Sequence, residues 1–334
     1  MHPGPDGGIN GPGRDVGAAL ALEAPAVQAR RIRIGTRGSP LALAQTREVC
    51  ERLQTAHGRG LALEVVTIRT SGDRIQDRPL ADAGGKGLFT KEIEEALLAG
   101  AVDLAVHSMK DMPTVLPAGL SVRCLLPRAD VRDAFIAPRA RSLAELPAGA
   151  VVGTSSLRRQ AQVRRLRPDL AVVSLRGNVD TRLRKLAQGA ADATLLACAG
   201  LDRLGLADRI AQRVPVEEML PAVAQGAIGV ETRSDDAAMA ELVAPINDQA
   251  TALAVAAERA FLARLEGSCR TPIAGLAELV AGRIVLRGQV LTPDGRRAHE
   301  TRREGRPEEA VKLAEEAADE LLAAAGPDFF PARA

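Results

Sequence analysis

Apolar and polar positions begin to alternate at Arg31: Ile32 and Ile34 lie between Arg31 and Arg33, which predicts a short strand closing at Gly35. Ser39-Pro40 has the form of a helix N-cap followed by a first helical residue. Ala42, Val49, Leu53 and Ala56 share one face of the helix that follows, and Gly58 should stop it. Leu63 to Ile68 predicts the next strand. Residues 70–87, with SGDRIQD and GGKG, read as a long polar loop, and loops of that length usually carry function. A helix capped by Thr90 has Glu92, Glu94 and Glu95 near its start, where the helix dipole favours acids, and ends at Gly100. Val102 to Val106 predicts a buried strand leading into HSMKDMP.

Beyond Pro127 the alternation of strand and helix continues. Strands are predicted at Val151-Val152, Ala171 to Leu175 and Ala193 to Ala197, with helices after Ser156 and Asn178 between them. This is the βαβ pattern of doubly wound α/β units, whose ligands sit at the carboxyl ends of strands, where GTSS, SLRGN and HSMKD all fall. The last third differs. An apolar helix from Ala252 to Leu265 runs into EGSCRTP, Arg283 to Leu291 pairs as a hairpin with the segment after Pro293-Asp294-Gly295, and an amphipathic helix spans Pro307 to Ala324. The expected fold class is therefore α/β, two doubly wound units plus a small α+β C-terminal domain.

Composition narrows the function classes. The 334 residues include five Phe but no Trp or Tyr, so the core is built from Leu, Val, Ile and Ala. Few aromatics and a net charge of only +2 argue against a nucleic-acid partner, because such proteins stack bases on rings and carry basic surfaces. The four cysteines, Cys50, Cys124, Cys198 and Cys269, form no CxxC pair, and the few His are scattered. Neither zinc nor a disulfide framework is expected, and a reducing cytoplasm is. No run is long enough to span a membrane. Residues 1–30, rich in Gly and Pro, are expected to be a disordered extension. Val16 to Leu22 followed by Ala26 to Ala29 faintly resembles a signal peptide, but Glu23 interrupts it and no basic segment precedes it.

Positive charge is concentrated in one stretch. From Arg158 to Lys185 there are nine Lys or Arg against two Asp. Arg164, Arg165, Arg167, Arg184 and Lys185 read as the wet faces of helices. Arg158, Arg159, Arg176 and Arg182 instead flank strand-end turns, beside the hydroxyls of Thr154, Ser155 and Ser156, a combination suited to carboxylates or phosphates. Lys110-Asp111 at the end of a strand places an acid beside a cation, although from this segment alone a solvated turn is the simpler reading. Cys269, in a Gly-Ser loop beside Arg270, has the setting of an accessible thiolate, but a lone Cys is weak by itself.

Taken together, the motifs resemble the porphobilinogen deaminase family: GTRGSPLALAQ (35–45), GGKGLF (84–89), DLAVHSMKDMP (103–113), RDAF (132–135), GTSSLRRQ (153–160), SLRGNVDTRL (174–183), PAVAQGAIGVE (221–231) and LEGSC (265–269). The resemblance runs from Arg31 to the final helix. It implies three domains, expected at 31–126 with 227–244, 127–226 and 245–330, the first two like those of periplasmic binding proteins. It also implies an enzyme that condenses four porphobilinogen molecules head to tail into hydroxymethylbilane, releasing ammonia. The chain would grow on a dipyrromethane cofactor held by a thioether to Cys269. By motif, Asp111 is the catalytic carboxylate. Arg37, Ser39, Arg158, Arg159, Arg176, Arg182, Lys110 and the hydroxyls of Thr154, Ser155 and Ser156 match carboxylate-binding positions; Lys86 and Phe89 match cleft-facing ones. Arg132 and Arg203 match family positions less directly involved. Asp82 stands where some relatives carry Lys. The family precedent is a monomer, with porphobilinogen as its small-molecule partner. The competing reading is a non-enzymatic anion-binding module of the periplasmic type, which would need neither Asp111 nor Cys269.

Overall fold

The computed structural model describes residues 1, 31–74, 87–265, 272–326 and 329. The first elements are β1 (Ile32–Arg37), α1 (Pro40–His57), β2 (Leu63–Ile68), a single turn α2 (Ser71–Arg74), α3 (Lys91–Leu98), β3 (Leu104–Ser108) and β4 (Leu120–Leu125). Next come β5 (Asp133–Ile136), β6 (Val151–Gly153), α4 (Leu157–Leu166), β7 (Ala171–Val173), α5 (Val179–Ala187), β8 (Ala193–Ala197), α6 (Cys198–Arg203) and β9 (Gln212–Val214). The order closes with β10 (Ile228–Arg233), α7 (Ala237–Val243), α8 (Gln249–Arg264), β11 (Ile273–Val280), β12 (Arg283–Leu291), β13 (Ala298–Gly305) and α9 (Ala310–Ala325).

These strands form three sheets, ordered β2-β1-β3-β10-β4, β7-β6-β8-β5-β9 and β11-β12-β13. In the first, β1 pairs in parallel with β2 and β3, while β10 runs antiparallel between β3 and β4. The second repeats the plan, with β6 parallel to β7 and β8, and β5 antiparallel to β8 and β9. Both are α/β sheets with crossover helices, as the βαβ pattern predicts, but each carries an inserted antiparallel strand that the pattern does not reveal. The chain crosses from the first sheet to the second after β4 and returns before β10.

Local chemistry accounts for the elements. Ser39 caps α1 by accepting a hydrogen bond from the Ala42 N–H, Pro40 starts the helix, and Val49 and Leu53 are fully buried against the first sheet. Each such side chain contributes roughly 1.5–3 kcal/mol of burial. Ser156 and Asn178 cap α4 and α5 in the same way. The polar stretch after Thr70 departs from expectation at its start. Ser71–Arg74 forms a helical turn because Glu92 accepts hydrogen bonds from the Ser71 N–H and hydroxyl.

Both crossings meet α8. Its fully buried Glu258 accepts hydrogen bonds from Arg128 on the outgoing crossing (2.6 and 3.0 Å), from the Ala224 N–H on the return crossing, and from the Ala277 N–H of β11. One carboxylate thus ties the third sheet to both connections between the other two.

Candidate active site

The turn that follows β3 carries the acid. Met109–Asp111 forms a single 3-10 turn, anchored by the buried Met109, whose N–H donates to the Ala227 carbonyl (3.1 Å). β10 makes room for this anchor with Gly229, where a Cβ would stand 2.2 Å from the Met109 sulfur. Asp111 is left exposed and Lys110 half-buried. Arg37, at the end of β1, lies with its guanidinium 4.2 Å from the centre of the Phe89 ring. Arg37, Ser39, Phe89, His107 and Asp111 line one pocket, together with Gln45 and with Thr90, which the sequence marked only as a helix cap. Behind them His107 Nε2 lies 3.0 Å from the buried Glu231 carboxylate.

The second sheet supplies the cations. Arg158 and Arg159 sit in the first turn of α4, but their side chains point into the protein, each only 5% exposed. Both converge on Asp133 of β5, which is fully buried. Burial alone would raise the pKa of that carboxyl, but the two guanidiniums outweigh it and hold it far below the usual carboxylate range. The turn hydroxyls are partly committed as well. Thr154 is buried and its hydroxyl oxygen accepts from the Ser156 N–H, Ser155 lies 3.1 Å from the Ser174 hydroxyl, and Ser156 caps α4. Arg182 donates from Nε to the Gly177 carbonyl (2.8 Å), and Lys185 donates to the Arg176 carbonyl (3.0 Å), so the SLRGN turn is held from both ends. Lys185 and Arg167, read from the sequence as wet helix faces, are thus stitches. Arg167 donates to the carbonyls of Leu143, Ala144 and Leu146 as well as to Asp169.

Charge couples the two sheets across the site. Loss of solvent, then repulsion from Arg159 and Arg158, lowers the Lys110 pKa to about 8, against the pull of Asp111 and Asp133. Arg182 is lowered to about 10 by burial and by Arg159 and Arg176, with Asp111 opposing. Among the described residues the Lys110 ammonium has neither a hydrogen bond nor an ion pair. Lys110 and Asp111 from the first sheet therefore share one field with Arg158, Arg159, Arg176 and Arg182 from the second. Arg132 pairs with Asp130, and Arg203 with Glu48 and the Gly226 carbonyl. Cys50, Cys124 and Cys198 have raised pKa values, chiefly through burial, the last two to about 12. Lys86, Asp82 and Cys269 lie outside the described residues.

An acid presented on a strand-end turn, coupled to a cluster of forked and buried cations, marks an α/β protein whose site suits a small anion held beside a carboxylate. The comparisons with known proteins make this specific. Residues 32–241 match the family model of the porphobilinogen deaminase dipyromethane cofactor binding domain, and residues 252–323 match the porphobilinogen deaminase C-terminal domain. The chain is 60% identical over 298 residues to porphobilinogen deaminase of Nitrobacter hamburgensis, covering 89% of this chain and 94% of that protein. It is 58% identical over 300 residues to that of Paracoccus denitrificans, covering 90% and 96%. The chain belongs to the porphobilinogen deaminase family. Solved structures similar to it include a periplasmic substrate-binding protein of an ABC transporter from Coxiella burnetii, at 15% identity and TM-score 0.41 over 68% of this chain and 96% of that one.

Proposed function

We infer that this chain is the hydroxymethylbilane-forming enzyme of its family, condensing four porphobilinogen molecules head to tail with release of ammonia. The observation that carries the assignment of roles is the coupling of Lys110 to Arg158 and Arg159 and of Asp111 to Arg182. Porphobilinogen bears an acetate and a propionate, so the growing product is a polycarboxylate. Arg37, Ser39, Arg176 and Arg182 bind substrate carboxylates, with Lys86 and Phe89 completing that surface. Phe89 covers a pyrrole ring beneath the Arg37 guanidinium.

The dipyrromethane cofactor fits this donor set. It is itself two porphobilinogen units and brings carboxylates to a place where, among the described residues, the Lys110 ammonium lacks a partner and the buried Arg158 Nε makes no hydrogen bond. Cys269 holds it by a thioether, with Lys110, Arg158, Arg159, Thr154, Ser155 and Ser156 around its carboxylates. When bound, it supplies the nucleophilic pyrrole carbon from which the product grows. Arg158 and Arg159 act largely through their charge, because their forks are already occupied by Asp133. Asp111 is the catalytic residue: its carboxylate stabilises the positive charge that develops on a pyrrole nitrogen as the amine leaves, takes up the proton lost from the ring α-carbon after coupling, and in that protonated form returns it to the next departing amine.

The three sheets support a division into residues 31–126 with 227–244, residues 127–226 and residues 245–330. The non-enzymatic anion-binding reading has no observation in its favour. We take the enzyme to work as a cytoplasmic monomer, with no nucleic-acid or membrane partner. Among the described residues no helix is long and apolar enough to cross a membrane.

The intact mass of the denatured protein tests the anchor. The wild-type chain should exceed its polypeptide mass by two linked pyrrole units, and Cys269→Ser should not. A bare wild-type mass without an Ehrlich-reactive chromophore would contradict the assignment.

A further inference from the structure

An acid at the centre of an anion-binding cluster is unexpected, because it weakens the field that attracts the ligand. Asp133 holds that place. Its Oδ1 accepts from Arg159 Nη2 (2.7 Å) and Nε (3.1 Å), from Arg158 Nη2 (3.2 Å) and from Gln225 Nε2 (2.9 Å). Its Oδ2 accepts from Arg158 Nη1 (2.8 Å). With no exposed surface and five donors on two oxygens, this carboxylate has no room for substrate.

Each guanidinium has a second tether: Arg158 Nη1 donates to the Leu220 carbonyl (2.8 Å) and Arg159 Nη1 to the Leu195 carbonyl (2.9 Å). Both forks are therefore fixed before any ligand arrives. Packed this closely without a counter-charge, two buried guanidiniums beside Lys110 would repel one another and swing towards solvent. Gln225, on the return crossing, also donates to the Val131 carbonyl (2.8 Å), joining both crossings at the same carboxylate.

We propose that Asp133 is a positioning residue of the carboxylate grip: it fixes the Arg158 and Arg159 forks and keeps a counter-charge beside Lys110, without touching substrate. The inference rests on the reading above that this cluster binds carboxylates. Asp133 then sets how much positive charge the grip presents, and where.

Asp133→Asn keeps the shape and removes the charge, and three readouts separate positioning from mere structure. The KM for porphobilinogen should rise about tenfold while kcat falls less. The share of chains carrying the dipyrromethane adduct by intact mass should drop. The alkaline rise in KM should move to lower pH. Lys110 is faced by Asp111 on its own turn, by Arg158 and Arg159 of α4, and by Asp133 of β5, whose negative charge favours its protonated form. Should the single variant not fold, Asp133→Asn/Arg159→Gln removes one charge of each sign. Its KM should lie above that of Arg159→Gln alone, because Arg158 and Lys110 lose the same counter-charge, but below the product of the two single effects, because part of the action of Asp133 runs through Arg159. A lower melting temperature with unchanged KM, loading and pH midpoint would overturn the proposal, as would strictly additive effects in the double variant. If Arg159→Gln and Lys110→Met both leave KM unchanged, the carboxylate grip itself fails and the proposal falls with it.

Discussion

The Arg37 guanidinium lies over the Phe89 ring at 4.2 Å, joining the end of β1 to the residues before α3 in the pocket that Asp111 also lines. Gly72 leaves the space this ring needs, since a Cβ there would stand 2.3 Å from it. A cation over an aromatic face at a partly exposed site contributes about 0.5–1 kcal/mol. Phe89→Leu keeps the bulk and loses the ring quadrupole. It should raise the KM for porphobilinogen roughly two- to fivefold, with a smaller change in kcat, in steady-state assays of bilane formation.

Lys110 should make substrate binding pH-dependent. Its pKa is lowered to about 8, so the ammonium is charged below that pH and lost above it. The KM should therefore rise as pH passes upward through about 8. Lys110→Arg should remove that limb, because a guanidinium stays charged there, and Lys110→Met should give a high KM at every pH. A wild-type KM flat from pH 7 to about 9 would contradict this role.

Stability is most sensitive where the crossings meet. Glu258 is fully buried and bound to Arg128 and two backbone N–H groups. Glu258→Ala leaves the largely buried Arg128 charge without its partner, which should cost about 3–5 kcal/mol in denaturant unfolding. Arg128→Met/Glu258→Met should recover part of that loss.

Gly226 closes the return crossing at φ +89°, and a Cβ there would stand 2.6 Å from the Ala129 carbonyl oxygen. The atoms such a Cβ would meet, in Ala129 and Asp130, are backbone and not flexible side-chain ends. Gly226→Ala should therefore destabilise the protein by about 1–3 kcal/mol in thermal or denaturant melts.

Much of this fold could be read from the chain. Ser39-Pro40, Ser156 and Asn178 each mark a helix start by local capping, and β2, β8 and β12 fall where the apolar runs predict. What escaped was non-local. β10 lies between β3 and β4, pairing Val230 with Val106 and Cys124, residues more than a hundred positions away, and nothing near Val230 specifies that partner. The site divides in the same way. Asp111 and Lys110 are legible as a strand-end turn, and Arg176 and Arg182 as flanks of SLRGN. The burial of Arg158 and Arg159 was not, because it depends on Asp133, which sits on another strand and carries no local sign of its two partners.

The central claim is that Asp111 performs the chemistry, while the cations around it hold the carboxylates. The most direct measurement is the rate of hydroxymethylbilane formation by purified Asp111→Ala, with folding checked by circular dichroism and melting temperature. The predicted result is an intact fold with turnover reduced by at least about 10²–10⁴-fold, the range expected for removing a positioned acid. A folded Asp111→Ala enzyme making bilane at near the wild-type rate would contradict the account.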